Sequence, residues 1–320
     1  MSDLRLRNHR FDTARPAMTP PPHPRRRAWL CRAGLALVLS TGGLPAGAWN
    51  ARGHAAIAAL AEAGLNDAAR AQVQALLAQD LDRFGRPSGR RTLAAVASWP
   101  DEIRAEAARS DPEAYRGWHV RANPVCGERL GRCPQGHCVD QLIIHHTAVL
   151  RDHTQPLRQR NEALKWVVHL VGDLHQPLHS GVNPNGGRAR VELVGATPPA
   201  DASLHAVWDG ALLDAALAGW QPRTPAADTA ALALDAPTGW MLETRDVALT
   251  QVYQPLNGFA CGIRLAEPLR LDGDYQRASV PVIRQQIERA ARRLTQLLHQ
   301  ALAAQGAEAL TDAAPPPPKN

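Results

Sequence analysis

The stretch His169-Leu170-Val171-Gly172-Asp173-Leu174-His175-Gln176-Pro177-Leu178-His179 sets the terms for the rest of the chain. A helix turns once in about 3.6 residues, so His169 and Asp173 fall one turn apart on a single face. Imidazole and carboxylate are both good zinc ligands. Pro177 cannot donate to the backbone ladder, and the break it makes lets His179 swing towards a second metal. His175 points off the face of His169 and reads as a support for the ligands. A metal held here needs further ligands from elsewhere in the chain.

Several residues have the chemistry and spacing to supply them. His205-Ala206-Val207-Trp208-Asp209 repeats the His-x-x-x-Asp spacing on a second predicted helix. His119 follows Trp118 just after a turn at Arg116-Gly117. Asp101 opens a short predicted helix, and His54 lies five residues beyond Trp49. A single buried histidine is more often a packed core residue than a ligand. Two His-x-x-x-Asp pairs beside a further histidine resist that plain reading. His137, His145, His146 and His153 read instead as packing or surface residues, and Trp166, Trp208 and Trp240 as core.

The chain has 320 residues, 45% of them hydrophobic, and a formal charge of +6. Arg25-Arg26-Arg27, the apolar run Ala33–Leu44 and Ala46-Gly47-Ala48 read as a secretory leader over residues 1–48, cleaved before Trp49. The apolar run is short for a bilayer span; an uncleaved anchor is the competing reading. Eight arginines against Asp3 and Asp12 give the leader the whole of the +6. Residues 49–320 are then formally neutral, so charge offers no argument for a nucleic-acid-binding patch. Once Cys31 leaves with the leader, four cysteines remain, and in an exported protein they read as two disulfides. Cys133 and Cys138 are close enough to close a small loop, which leaves Cys126 for the distant Cys261. A zinc knuckle is the rival reading for these cysteines.

The fold class expected is all-α, a single mainly helical domain over residues 49–305 with one small β-hairpin. Apolar spacing predicts helices over Gly53–Ala63, Asp67–Leu77, Cys138–Leu150, Asn161–Leu174, Leu204–Leu217, Ala226–Leu234, Trp240–Val252 and Ser279–Ala303. A short helical piece is expected to end at Trp99-Pro100, and another to start at Asp101. Phe84–Arg91 is a Gly/Pro/Arg loop. The hairpin is placed within Asn183–Pro199, where a turn signal precedes the alternation of Arg188 to Val194. Residues 306–320, with Pro315 to Pro318, read as a disordered tail.

Five motifs then stand in one order: Trp49 with His54, Trp99-Pro100-Asp101-Glu102-Ile103-Arg104, Trp118-His119, His169 to His179, and Leu204-His205-Ala206-Val207-Trp208-Asp209. In these the chain resembles the zinc-dependent single-strand nucleases, the fungal S-one/P-one type and the plant bifunctional enzymes. It is more distantly similar to bacterial zinc phospholipase C. The resemblance runs from Trp49 to about Ala303 and implies three zinc ions in one cleft. Asp101, His119, His169 and Asp173 would hold the first, and His179, His205 and Asp209 the second. The third would take His54, the amine and carbonyl of Trp49, and the other oxygen of Asp173. Asp101 would also orient the nucleophile, and Arg104 would clamp charge on the phosphoryl oxygens.

The activity so implied is hydrolysis of single-stranded DNA and RNA to 5′-phosphates, with action on 3′-nucleotides as well. The enzyme would be a periplasmic or secreted monomer without stable membrane association. Departures from the pattern bear on specificity. Ala122, followed by Asn123, stands where fungal relatives place a base-reading Asp. Arg188 follows Gly186-Gly187 in place of Asn, and Ser203 precedes Leu204-His205 in place of Asn. The alternatives are a zinc phospholipase C and a non-catalytic zinc-binding protein. Asp209, where the lipases use Glu, argues against the first; Arg104, which storage does not need, argues against the second.

Overall fold

The computed structural model describes residues 49–183, 188–195, 202–224 and 230–303. The readings of residues 1–48 as a leader and 306–320 as a tail lie outside them. The first helices are α1 (Ala51–Ala63), α2 (Asp67–Leu77), α3 (Leu93–Val96), α4 (Trp99–Ala107) and α5 (Val139–Arg151). They are followed by α6 (Leu157–Leu174), α7 (Pro177–Ser180), α8 (Leu204–Asp209), α9 (Ala211–Leu217), α10 (Ala236–Val247) and α11 (Gly273–Ala301). Short side chains close the N-terminal ends. Asn50 accepts from the amides of Arg52 and Gly53, Asn66 from Ala69, and Asp272 from Tyr275. Each satisfies amides that the first turn leaves unpaired.

α6 forms the centre of the core. Every residue from Ala163 to Leu174 is buried, so this helix must be surrounded rather than laid on a surface. α1 to α5 and α11 pack around it. A helix covered on all sides is where buried polar groups must find partners, and Lys165, His169, Asp173 and His175 are all at 0% exposure. Trp166, Trp208 and Trp240 are core residues, as expected.

The predominantly helical class is as expected, but several boundaries differ. Pro100 lies in the first turn of α4 rather than ending a helix; first-turn amides lack partners anyway, so proline costs little there. The single helix expected over Leu204–Leu217 is split at Gly210, whose φ of −120° and ψ of −92° break the ladder. No helix covers residues 230–234; residues 226–229 of that expected helix lie outside the described ones. There the backbone is tied to α11 instead, with Gln300 Oε1 accepting from Leu232 N and Gln296 donating to Ala230 O. α10 runs on into a π-helical turn, Ala248–Tyr253, and α11 begins at Gly273, earlier than expected.

The hairpin is corrected too. β1 (Asn123–Pro124) pairs in parallel with β2 (Gly181–Val182), and β3 (Val191–Leu193) in parallel with β4 (Leu269–Leu271). Alternation finds a strand at 191–193, but its partner lies across the fold, which local pattern does not encode. The chain does double back at an isolated antiparallel bridge between Arg190 and Ser203. Cys126 is bonded to Cys261 and Cys133 to Cys138. Among the described residues no helix is long and apolar enough to cross a membrane.

Candidate metal centre

α6 brings His169 and Asp173 to one face, and the neighbouring elements deliver their partners to it. His119 Nδ1 lies 2.8 Å from Asp173 Oδ2 and 3.0 Å from His169 Nε2. His169 Nε2 lies 3.1 Å from the same Asp173 oxygen. Asp101 Oδ1, from α4, stands 3.8 Å from His119 Nδ1 and 3.9 Å from His169 Nε2. Ligands about 2.0–2.1 Å from a tetrahedral zinc stand about 3.4 Å apart, so this spread brackets that edge.

On the other side of Asp173, His54 Nε2 from α1 approaches Oδ1 at 3.3 Å, and the His54 ring stacks on His169 at 3.9 Å. Trp49, just ahead of α1, is fully buried. Beyond the break at Pro177, His179 and His205 bring their Nε2 atoms to 2.9 Å, and Asp209 Oδ2 stands 3.1 Å from His205 Nε2. Three groups of His and Asp could therefore hold a metal ion: His54, His169 and Asp173; Asp101, His119 and His169; His179, His205 and Asp209. The His and Asp side chains expected as ligands all fall within these three groups. His137, His145, His146 and His153 belong to none of these groups. His146 stacks on Trp166 at 5.6 Å, and burial pushes its pKa down to about 3.

Backbone carbonyls fix which ring nitrogens are free. His169 Nδ1 lies 2.7 Å from Ala97 O and His179 Nδ1 2.8 Å from His119 O. Those nitrogens donate, so the Nε2 lone pairs face the centre. Gln176, the N-cap of α7, donates to Asp209 Oδ1 at 2.6 Å and accepts from Leu178 N. The sequence reading does not find this support for Asp209, since Gln is not among the usual N-cap residues. His175 is held between Val171 O at 2.7 Å and Arg293 at 3.0 Å, away from the metal face.

The residues present fit a metal. Asp101 Oδ1, Asp173 Oδ1, Asp209 Oδ2 and both nitrogens of His54 are buried without a hydrogen-bond partner. Native proteins rarely leave so many polar atoms unsatisfied in one place, and metal ions held by the three groups would answer these oxygens and His54 Nε2, though not His54 Nδ1, which faces Gly172. Burial works to raise the Asp173 carboxyl, yet His169, His119 and His54 hold it well below its ordinary value. Burial likewise opposes ionisation of Asp101, and His169 and His119 overcome it. The same carboxylates outweigh burial at His169 and raise its pKa. The charge of the centre thus invites a cation in place of that proton.

The open edge is narrow. The side chains of Asp101, Arg104 and His205 are 25%, 28% and 26% exposed, whereas Asp173, His169 and His54 are sealed. Arg104 Nη2 lies 3.3 Å from Asp101 Oδ1, and its charge also reaches His205. Arg104 thus sets a half-buried cation beside the exposed oxygen-bearing edge of the centre. Asn123, which follows Ala122, is turned into the fold. It is fully buried, donating to Ser180 O at 2.7 Å and accepting from Gly131 N at 2.7 Å. Gly186 and Gly187 lie outside the described residues, and Ser203 caps α8 through Ala206 N.

A family model described as S1/P1 Nuclease matches residues 49–303. Nuclease S1 of Aspergillus oryzae is 26% identical over 268 residues, 77% of this chain and 89% of that protein. Endonuclease 4 of Arabidopsis thaliana is 26% identical over 310 residues, 85% of this chain and 94% of that protein. Endonuclease 3 of Arabidopsis thaliana is 30% identical over 177 residues, 53% of this chain and 56% of that protein. The chain thus matches little more than half the length of this last relative.

Proposed function

The chain belongs to the S1/P1 nuclease family of phosphodiester hydrolases, and on that premise we propose that it cleaves single-stranded DNA and RNA to 5′-phosphates and dephosphorylates 3′-nucleotides. The observation that carries this reading is the convergence of three His/Asp groups around Asp173, with Arg104 at their open edge. Asp101, His119, His169 and Asp173 would hold one zinc, and His179, His205 and Asp209 a second. His54 and Asp173 Oδ1 would hold a third, together with the amine and carbonyl of Trp49. When bound, the zinc ions supply Lewis acidity, polarising phosphoryl oxygens and acidifying water.

The chain's own groups do the rest. Asp101 accepts a hydrogen bond and orients the attacking water at the open edge. Arg104 donates to the phosphoryl oxygens as their charge grows. Because all these side chains come from one chain, a monomer suffices. Removal of residues 1–48 would free the Trp49 amine, so leader cleavage would complete the centre during export to the periplasm or beyond. The two disulfides fit an oxidising compartment.

The test is hydrolysis of denatured DNA, RNA and phosphatidylcholine by the purified protein, with and without chelator. Cleavage of the nucleic acids alone, abolished by chelator and restored by zinc, supports the proposal. Failure to cleave them with metal bound would sink it. Arg104→Ala is expected to lower kcat by about a hundredfold or more with metal content unchanged. Gly172→Ala probes the His54 side. An added Cβ would stand 2.8 Å from His54 Nδ1 and 3.1 Å from Cε1, closer than packing allows. Metal analysis is expected to show about one ion fewer per chain while helicity is kept, since alanine favours the helix.

A further inference from the structure

We propose that the turn tipped by Phe84 is an accessory contact for the single strand that the metal centre cleaves, an inference that rests on the nuclease reading. Leu81 and Pro87 pair across the base of the turn, and Asp82 N donates to Arg86 O at 2.8 Å. The Asp82 carboxylate accepts from the amides of Phe84 and Arg86 at 2.8 and 3.0 Å. It also takes the Arg86 guanidinium at 3.1 and 3.0 Å. Gly85, at φ +75°, closes the tip in a conformation that side chains rarely adopt. The tip is therefore held in one shape, although it points to solvent.

What it presents is an aromatic ring between cations. Phe84 is 48% exposed and is the only aromatic among the exposed large hydrophobics of the described residues. The guanidinium carbons of Arg83 and Arg86 stand 4.6 and 4.7 Å from its ring centroid. The Arg86 side chain is itself 68% exposed. An exposed ring with guanidinium groups beside it is a pairing that takes a nucleobase by stacking and cation–π contact whatever its sequence. Its exposed neighbours along the chain are Arg, Gly, Pro and Thr. At its base opens a cleft of about 480 Å³ whose lining includes Leu81, Pro87 and Leu157, the cations Arg91 and Arg158 and the carboxylate Glu162, room for a base.

The turn is fastened to the catalytic edge. Arg90 Nη2 lies 2.7 Å from Glu102, and Arg83 reaches Glu102 at 4.0 Å and Glu106 at 3.8 Å. Both glutamates are on α4, the helix that carries Asp101 and Arg104. With residues 49–320 formally neutral, a contact beyond the metal centre has to rely on stacking more than on a track of phosphate-binding cations.

The experiment compares wild type, Phe84→Ala and Phe84→Trp as zinc-loaded enzymes. One readout is KM on a dinucleotide and on an oligodeoxythymidine of about 16 nucleotides; the other is anisotropy of a non-cleavable phosphorothioate strand of that length. Phe84→Ala is expected to raise the ratio of the longer strand's KM to the dinucleotide's by about tenfold and to weaken strand affinity equally. Phe84→Trp is expected to restore both. Unchanged strand affinity, as for a protein-docking turn, overturns the proposal, as does an equal change on both substrates. If wild type hydrolyses neither substrate, the nuclease reading fails, and anisotropy alone still decides for or against the turn.

Discussion

Asp173→Ala is expected to abolish hydrolysis, with a loss of about three orders of magnitude or more, and to strip metal from the centre. The carboxylate is shared: Oδ2 lies 2.8 Å from His119 and 3.1 Å from His169, while Oδ1 lies 3.3 Å from His54. Its removal leaves buried imidazoles facing one another without the negative charge that draws a cation between them. Metal analysis and kcat read the two effects separately. The metal-free protein carries a third. The Asp173 carboxyl is held below its unfolded value of 3.8 by the histidines. Its pairing therefore stabilises the fold above that value and is lost as pH falls through the lower folded value. Unfolding of the apo variant is expected to depend less steeply on pH below about 4 than that of the apo wild type.

Lys165→Met is expected to cost about 3–5 kcal/mol of stability, because it strands a buried carboxylate. Lys165 Nζ lies 2.8 Å from Asp80 Oδ1, 3.0 Å from Leu81 O and 3.9 Å above the Trp99 ring. Both charged side chains are sealed, at 1% and 0% exposure. Methionine keeps the volume of the stem but leaves Asp80 with only the Ser88 hydroxyl. Urea unfolding measures the cost. The double variant Lys165→Met, Asp80→Leu is expected to recover much of it, since removing both charges also removes the desolvation penalty. Lys165 sits one turn before His169, and Trp99 starts the helix bearing Asp101. A fall in kcat at full metal content would show that the pair also positions Asp101.

The His and Asp clusters that could hold metal are legible because metal chemistry demands residue types at helical spacing. His169 with Asp173 and His205 with Asp209 each declare a face, and Pro177 announces the change of direction at His179. What escaped was non-local. Val191–Leu193 showed its alternation, but its pairing with Leu269–Leu271 depends on elements about eighty residues apart. Lys165 looked like any polar residue in a helix until Asp80 met it across the core. Gln176 and the Ala97 carbonyl, which orient Asp209 and His169, act through contacts that the sequence does not order. Phe84 lies in a stretch that reads only as a Gly/Pro/Arg loop; the approach of its flanking arginines to the ring is set by the turn's three-dimensional shape.

The most direct measurement is metal content against hydrolysis of denatured DNA, for protein that begins at Trp49 and for the same protein with two residues added before it. The account requires about three zinc ions per chain in the first, with activity lost to chelator and regained in step with zinc. The extended protein should hold about one fewer and be strongly impaired. Cleavage by metal-free protein, or full zinc content and full activity in the extended form, would contradict it.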